Sequence, residues 1–242
     1  MADNHYKRLW NKFYNAIPED ACGQYSLADF IKEQIPHKVA SLLDLGCGNG
    51  RWADSLINYC DRYIGVDVPD SPESSQRNRE DFEFRHYDGI NIPCEDDSVD
   101  LVFSNQLLER VLEPHRLFPQ IHRILKKDGL FIGSVSHLEP FHSYSVFNYT
   151  PFGFSSFCDL FGLDIVCLRP GMDSLTLIER NINKIIIGRG SEMEDSFWNA
   201  ESPLNYQLEK LLRRRKEGNK AINLTKLNVS GQFCFAAKKR SA

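Results

Sequence analysis

The sequence lacks most of the features that assign a protein by composition. Its 242 residues hold seven cysteines, but no two of them form a Cys-x-x-Cys pair, which excludes zinc ribbons and thioredoxin-type redox centres. They read as reduced thiols of a cytoplasmic protein, mostly small buried apolar residues. No uninterrupted apolar run approaches the roughly 18 residues of a membrane span. The polar stretch at 1–8 leads into an aromatic amphipathic segment and is not a secretory signal. There is no internal repeat and no low-complexity tract. A formal net charge of −4 provides no global attraction to nucleic acid or an anionic membrane. What is present is ordinary: 42% hydrophobic and 26% charged residues, enough for one soluble domain that buries its core without disulfides or metals.

The order of patterns carries more. Tyr6, Leu9, Trp10, Phe13 and Tyr14 fall at helical spacing over 5–15. Ser26, with Asp29 as its acidic partner, predicts the start of a helix that runs to Gln34 before Pro36. From residue 39 onward strands and helices alternate. Strands are predicted at 39–43, 63–68, 82–87, 99–104, 130–135, 163–168 and 232–237. Helices are predicted at 51–59, 106–125 and 150–161, with a turn at 126–129. The alternation predicts an α/β fold with right-handed crossovers and a doubly wound, mostly parallel seven-stranded sheet. The last strand is expected to enter antiparallel after an excursion at about 170–230. The chain reads as a single domain over 1–242, with residues 1–38 as a helical cap and the excursion as an insertion.

The special residues stand where such a sheet places its ligands, at the carboxyl ends of strands. Gly46, Gly48 and Gly50 follow the first strand, where the backbone turns sharply and approaches a ligand without Cβ interference. The spacing Gly-x-Gly-x-Gly is one residue shorter than the dinucleotide fingerprint. Asp44 stands two residues before the first glycine, where a carboxylate opposes a pyrophosphate but suits a cationic amino group. Asp67 ends the second strand, the place for a carboxylate that accepts from two ribose hydroxyls.

At these residues the chain resembles the class I S-adenosylmethionine-dependent methyltransferases. The resemblance rests on Leu-Asp-Leu-Gly-Cys-Gly-Asn-Gly (43–50), Gly-Val-Asp (65–67), Tyr-Asp-Gly-Ile (87–90) and Asp-Leu-Val-Phe-Ser-Asn (100–105), with supporting matches at 107–111 and 121–131. It spans roughly residues 39–168 and implies a Rossmann-like fold with S-adenosylmethionine as cofactor and S-adenosylhomocysteine as product. It also implies roles. The 46–50 loop, including Cys47, would wrap the methionine part and ribose. Asp44 would orient the amino group and Asp67 the ribose hydroxyls. Val68 and Ile90 would sandwich the adenine, Asp88 would accept from its amino group, and the Gly89 and Ile90 backbone would read the ring edge. Asn105 and Gln106 would lie under the sulfonium end. Many relatives carry Glu-His-Val where this chain has Glu109-Arg110-Val111, so Arg110 is either a surface residue or a group favouring an anionic substrate.

The acceptor side is sought after the fifth strand, where His137, Glu139, His142 and several aromatics share one loop. This stretch is similar to a subset of small methyltransferases, some acting on sugars, glycan precursors or natural products. His142 is the first candidate general base and His137 the second, with Glu139 a weaker one. No metal is expected. Tyr6, Trp10 and Tyr14 read either as a lid over the site or as a helix packed on the sheet edge, and Tyr14 and Tyr25 are candidate contacts. The basic run 213–216 reads as a solvated helix face. The expected activity is methyl transfer to a small-molecule hydroxyl, by a monomer or homodimer. The alternatives are an RNA or protein methyltransferase, or a non-catalytic cofactor-binding scaffold.

Overall fold

In the first strand, β1 (Val39–Leu45), the last five residues are buried, as a strand covered on both faces requires. The structure, a computed structural model, describes residues 2–21, 23–139, 144–187 and 202–240. β1 pairs in parallel with β2 (Cys60–Asp67) on one side and β4 (Val99–Asn105) on the other. β3 (Glu83–His86) lies outside β2, and β5 (Leu125–Ser136) outside β4. β7 (Gln232–Lys239) enters antiparallel between β5 and β6 (Leu163–Pro170), so the seven-stranded order is β3-β2-β1-β4-β5-β7-β6. The expected doubly wound, mostly parallel sheet is therefore present, and its last strand is the antiparallel one.

Successive strand residues face opposite sides, so the sheet divides its apolar side chains between two cores. Leu43, Val102 and Phe131 join one cluster with Phe118, Phe154 and Phe235. Leu42, Leu101, Phe103 and Ile132 join the other, with Phe30, Ile31 and Leu56. The helices in chain order are α1 (Ala2–Asn15), α2 (Leu27–Gln34), α3 (Ala53–Leu56), α4 (Pro72–Ser75), α5 (Pro114–Ile124), α6 (Pro151–Leu160), α7 (Ser174–Ile187), α8 (Pro203–Arg214) and α9 (Asn219–Val229). Caps match the sequence signals: Ser26 accepts from the Asp29 N–H, and Thr150 from that of Gly153.

Several elements differ from expectation. The helix predicted over 106–125 is broken. Gln106 has φ +52, a 3-10 turn spans Leu108–Arg110, and α5 begins only at Pro114. Proline keeps its predecessor out of the helical region, and Glu113 sits at φ −122, ψ 60. The turn predicted at 126–129 is instead part of β5, with Asp128 at φ +63 and a register shift opposite Val99–Leu101. The helix predicted at 51–59 shrinks to α3 and a 3-10 turn at Ile57–Tyr59. The excursion holds α7, α8 and α9.

α1 is not a lid. Trp10 and Phe13 pack on Phe152 of α6 at 5.9 and 5.6 Å between ring centres. Arg8 pairs with Asp159, and Lys12 with Asp159 and Asp164. Leu9 and Phe13 of α1 are buried at this edge, while Tyr6, Trp10 and Tyr14 are exposed. The segment after α1 is tied down differently. Arg169 of β6, 1% exposed, pairs with Asp20 at 2.9 Å and Glu33 at 3.0 Å and lies over the Tyr25 ring at 4.4 Å.

Candidate active site

Strand order reverses at β1, which has β2 on one side and β4 on the other, so the loops leaving β1 and β4 diverge and open a crevice. A cavity of about 1600 Å³ lies there. Asp44, Gly46, Cys47, Gly48, Asp67, Val68, Asp88, Gly89, Ile90, Asn105 and Gln106 all line it. The topology thus brings together residues from four separate strand ends. Gly50 is not in the lining; it supports the loop from behind, where a Cβ would come within 3.1 Å of Phe84.

The loop's shape requires glycine. Gly46, Gly48 and Gly50 have φ of +80, +54 and +83, the left-handed region that side chains disfavour. A Cβ on Gly46 would meet Leu107 at 2.9 Å and one on Gly48 would meet Glu73 at 3.0 Å. The N–H groups of Gly46 and Cys47 both reach the Val66 carbonyl, at 2.8 and 3.1 Å.

Three carboxylates stand in three electrostatic situations. Asp44 is 2% exposed and accepts from the Tyr63 hydroxyl at 2.8 Å. Burial pushes its pKa up to about 7, with the Tyr63 bond opposing. Asp67 accepts from the Gly48 N–H at 2.6 Å and the Val68 N–H at 2.7 Å. Burial raises its pKa, and the two backbone bonds work against that. Each oxygen keeps lone-pair capacity for a hydroxyl. Asp88 is exposed and accepts from the Ile90 and Asn91 N–H groups at 2.9 and 2.6 Å. Those bonds and the Asn91 side chain bring its pKa down to about 2. The Ile90 N–H is therefore engaged by Asp88; a Cβ on Gly89, at φ +89, would meet Val68 at 3.9 Å.

Burial also pushes the Cys47 thiol up, so it packs beside Arg77 as a neutral group. Asn105 accepts from the Ser134 hydroxyl at 2.7 Å. Gln106 donates to Gln232 at 2.9 Å. Arg110 lines the cavity, with Glu73 at 3.6 Å, so it is a site residue and not a surface one.

The acceptor-side expectations land unevenly. His137 is 9% exposed and packs against Phe233 at 6.5 Å between ring centres. Backbone hydrogen bonds at Asn228 and Tyr149 hold it, and burial keeps its pKa below the ordinary range. It does not line the cavity, so the structure gives it a packing position in place of the expected catalytic one. His142 lies outside the described residues. Glu139 and Tyr144 do line the cavity, as does Tyr25, while Tyr14 lies against Lys220. Among the described residues no group of three His, Cys, Asp or Glu side chains is placed to hold a metal ion.

Sequence reasoning missed a large part of the wall: Gln24 and 26–28 before and in α2, Met172, Leu177, Arg180 and Asn181 at and in α7, and Gln232 and Cys234 of β7. These come from three distant stretches without a motif. The one available signal was position, since Gln232 opens a strand predicted to enter the sheet.

The buried Asp44, the rigid Asp67 and the left-handed glycines form a cradle fitting a ligand with a cationic amine and a ribose. Comparisons with known proteins agree. The family model for a methyltransferase domain matches residues 43–133. A Mycolicibacterium smegmatis protein named "Probable S-adenosylmethionine-dependent methyltransferase" is 26% identical over 129 residues, 48% of this chain and 50% of that one. A ubiquinone biosynthesis O-methyltransferase of Coxiella burnetii is 27% identical over 139 residues, 51% of this chain and 58% of that one. The chain thus spans little more than half the length of these relatives. In fold, an S-adenosylmethionine-dependent methyltransferase structure from Mesorhizobium loti aligns with TM-score 0.55 at 15% identity, over 88% of this chain and 98% of that one. The glycine cradle and its carboxylates fall inside the matched segment, and over residues 43–133 the chain matches a methyltransferase domain.

Proposed function

We propose that this protein transfers a methyl group from S-adenosylmethionine to a hydroxyl of a small molecule, of the kind found in sugars, glycan precursors and natural products. The observation that carries the reading is one cavity lined by Asp44, Asp67 and the Gly46–Gly48 turn and also by Glu139, Arg180 and Gln232. The first group suits the cofactor and the second a polar acceptor.

The bound cofactor supplies an electrophilic methyl group on a sulfonium. The chain's own residues do the rest. Asp44 faces the amino group with a carboxylate kept from water. Asp67, fixed by two backbone N–H groups, accepts from the ribose hydroxyls. Val68 and Ile90 clasp the adenine, with Asp88 beside it. Asn105, which ends β4, and Gln106 after it lie under the reacting end. The walls from α2, α7 and β7 orient the acceptor and exclude water, and orientation can supply a large share of the barrier lowering in such a displacement.

The acid-rich lining and the net charge of −4 favour a small acceptor over RNA. The run 213–216 is exposed at the end of α8, and Arg213 there is engaged with Glu209 and Asn219. No helix among the described residues is long and apolar enough to cross a membrane. The cysteines of the described residues are free thiols, in keeping with a cytoplasmic setting.

The test is a labelled-methyl transfer screen over nucleotide sugars, phenols, amines and RNA. Label in a hydroxyl-bearing small molecule is the expected result; label only in RNA or in amines rejects this reading. Calorimetric titration with S-adenosylhomocysteine checks the cofactor half. Asp67→Ala should weaken that binding by about 2–4 kcal/mol through loss of two hydrogen bonds to a buried carboxylate.

A further inference from the structure

We propose that Glu139 is the base that takes the proton of the acceptor hydroxyl, and that Ser136, Glu109 and Gln106 hold it in place. The proposal rests on the hydroxyl-acceptor reading above.

Ser136 ends β5 and is fully buried. Three oxygens surround its hydroxyl: Gln106 Oε1 at 2.9 Å, Glu109 Oε1 at 3.1 Å and Glu139 Oε2 at 3.1 Å. A hydroxyl has one proton and satisfies one of these at a time; a contact with another is a hydrogen bond only when a carboxyl group supplies the proton. The Glu139 carboxyl is therefore held within hydrogen-bonding reach of a buried hydroxyl that also faces Gln106 and Glu109.

Of the two carboxyl groups only Glu139 lines the cavity; Glu109 is fully buried behind Ser136. Gln106 lines it too, directly after Asn105, so Glu139 lies two short contacts, through the Ser136 hydroxyl and Gln106, from the end of β4. That is the end at which the reacting methyl group belongs.

The support is rigid. Gln106 Nε2 donates to Gln232 Oε1 at 2.9 Å and lies 3.2 Å from Ser134 Oγ, which fixes its Oε1 toward Ser136. Asn105 and Ser134 are register partners on β4 and β5, and Ser136 and Gln232 on β5 and β7. A site carried on three paired strands keeps its geometry better than one carried on loops alone. The Glu109 carbonyl also accepts from the Val146 and Phe147 N–H groups at 2.8 and 3.1 Å, so the loop that brings Tyr144 to the cavity hangs from the same residue. His137, the next residue after Ser136, packs against Phe233 and is not in this group.

The step balances as follows. The acceptor oxygen forms a bond to the methyl carbon as the carbon–sulfur bond breaks. The electron pair of that bond stays on sulfur, which becomes a neutral thioether. The acceptor's proton passes to Glu139, and bulk water takes it up after release.

Wild type, Glu139→Gln and Glu139→Asp are compared in methyl transfer to a hydroxyl acceptor from the screen and to ring-substituted phenols of graded acidity, with cofactor affinity measured by calorimetry. Glu139→Gln should lower kcat about 100-fold or more, leave the cofactor Kd within about twofold, and lose less with more acidic hydroxyls, which need less help. Glu139→Asp should keep part of the rate. Near-wild-type turnover of Glu139→Gln, or a loss equal for every acidity, overturns the base role. A wild-type enzyme that binds cofactor but methylates no hydroxyl overturns the hydroxyl reading, and the base role falls with it. That failure shows in wild type alone, so the two are told apart.

Discussion

Asp44 shows how one residue trades stability for a site. Its carboxyl is buried beside the cavity and its pKa is raised to about 7, well above the 3.9 of an unfolded chain. A group raised on folding contributes stability that is fully present below the unfolded value and is lost as pH rises through the folded one. Asp44 therefore costs stability at and above neutral pH. Asp44→Asn keeps an oxygen for the Tyr63 hydroxyl and removes the buried charge. The ligand-free variant should be more stable than wild type at pH 8, by about 2–4 kcal/mol, and the two should converge below pH 4. Denaturant melts at the two pH values check this; a variant less stable at pH 8 contradicts it. The same group predicts that wild-type cofactor affinity falls as pH drops below about 7, because the protonated carboxyl no longer attracts the amino group, and that this dependence vanishes in Asp44→Asn.

Elements were legible where geometry admits few residue types. The glycine loop was readable because its left-handed φ values nearly demand glycine. β1 and β4 were readable because strands covered on both faces are continuously apolar. The break before α5 was written in Pro114, but helical periodicity over 106–125 outweighed it. The seating of α1 was legible as one of two readings, because an aromatic stripe does not say which of its rings are buried or against what. Arg169 illustrates the same limit: in sequence it is one arginine in a strand, and in the fold it fixes the segment that leads into α2. Its removal leaves Glu33 and Asp20 without their cation and empties a space under Tyr25. Arg169→Ala should destabilise the protein by about 2–4 kcal/mol, mainly through the buried space it leaves, since Asp20 and Glu33 keep access to water. Hydrogen exchange should localise the loosening to residues 20–34, and cofactor affinity should suffer less than acceptor KM, since this segment supplies Tyr25 and 26–28 to the cavity. Protection unchanged in that segment would show that the clamp does not hold it.

At the scale of the whole molecule the proposed roles divide along the chain. The turns after β1, β2, β3 and β4 hold the residues proposed for the cofactor, and these lie within the matched 43–133. The part of the wall proposed for the acceptor comes from α2, α7 and β7, which are far apart in sequence and reach one cavity with β7 inserted between β5 and β6. The first set could be read from motifs and the second could not, because its residues share a place and no spacing. The division predicts separable kinetics. Arg180, on α7 and nearly buried, lines the cavity. Arg180→Ala should raise the acceptor KM about 10-fold or more, the equivalent of one charge-assisted hydrogen bond, and leave the calorimetric cofactor Kd within about twofold. Asp67→Ala should do the reverse. If Arg180→Ala weakens cofactor and acceptor alike while its melting temperature holds, α7 belongs to the cofactor site, and the wall assigned here to the acceptor must be redrawn around α2 and β7.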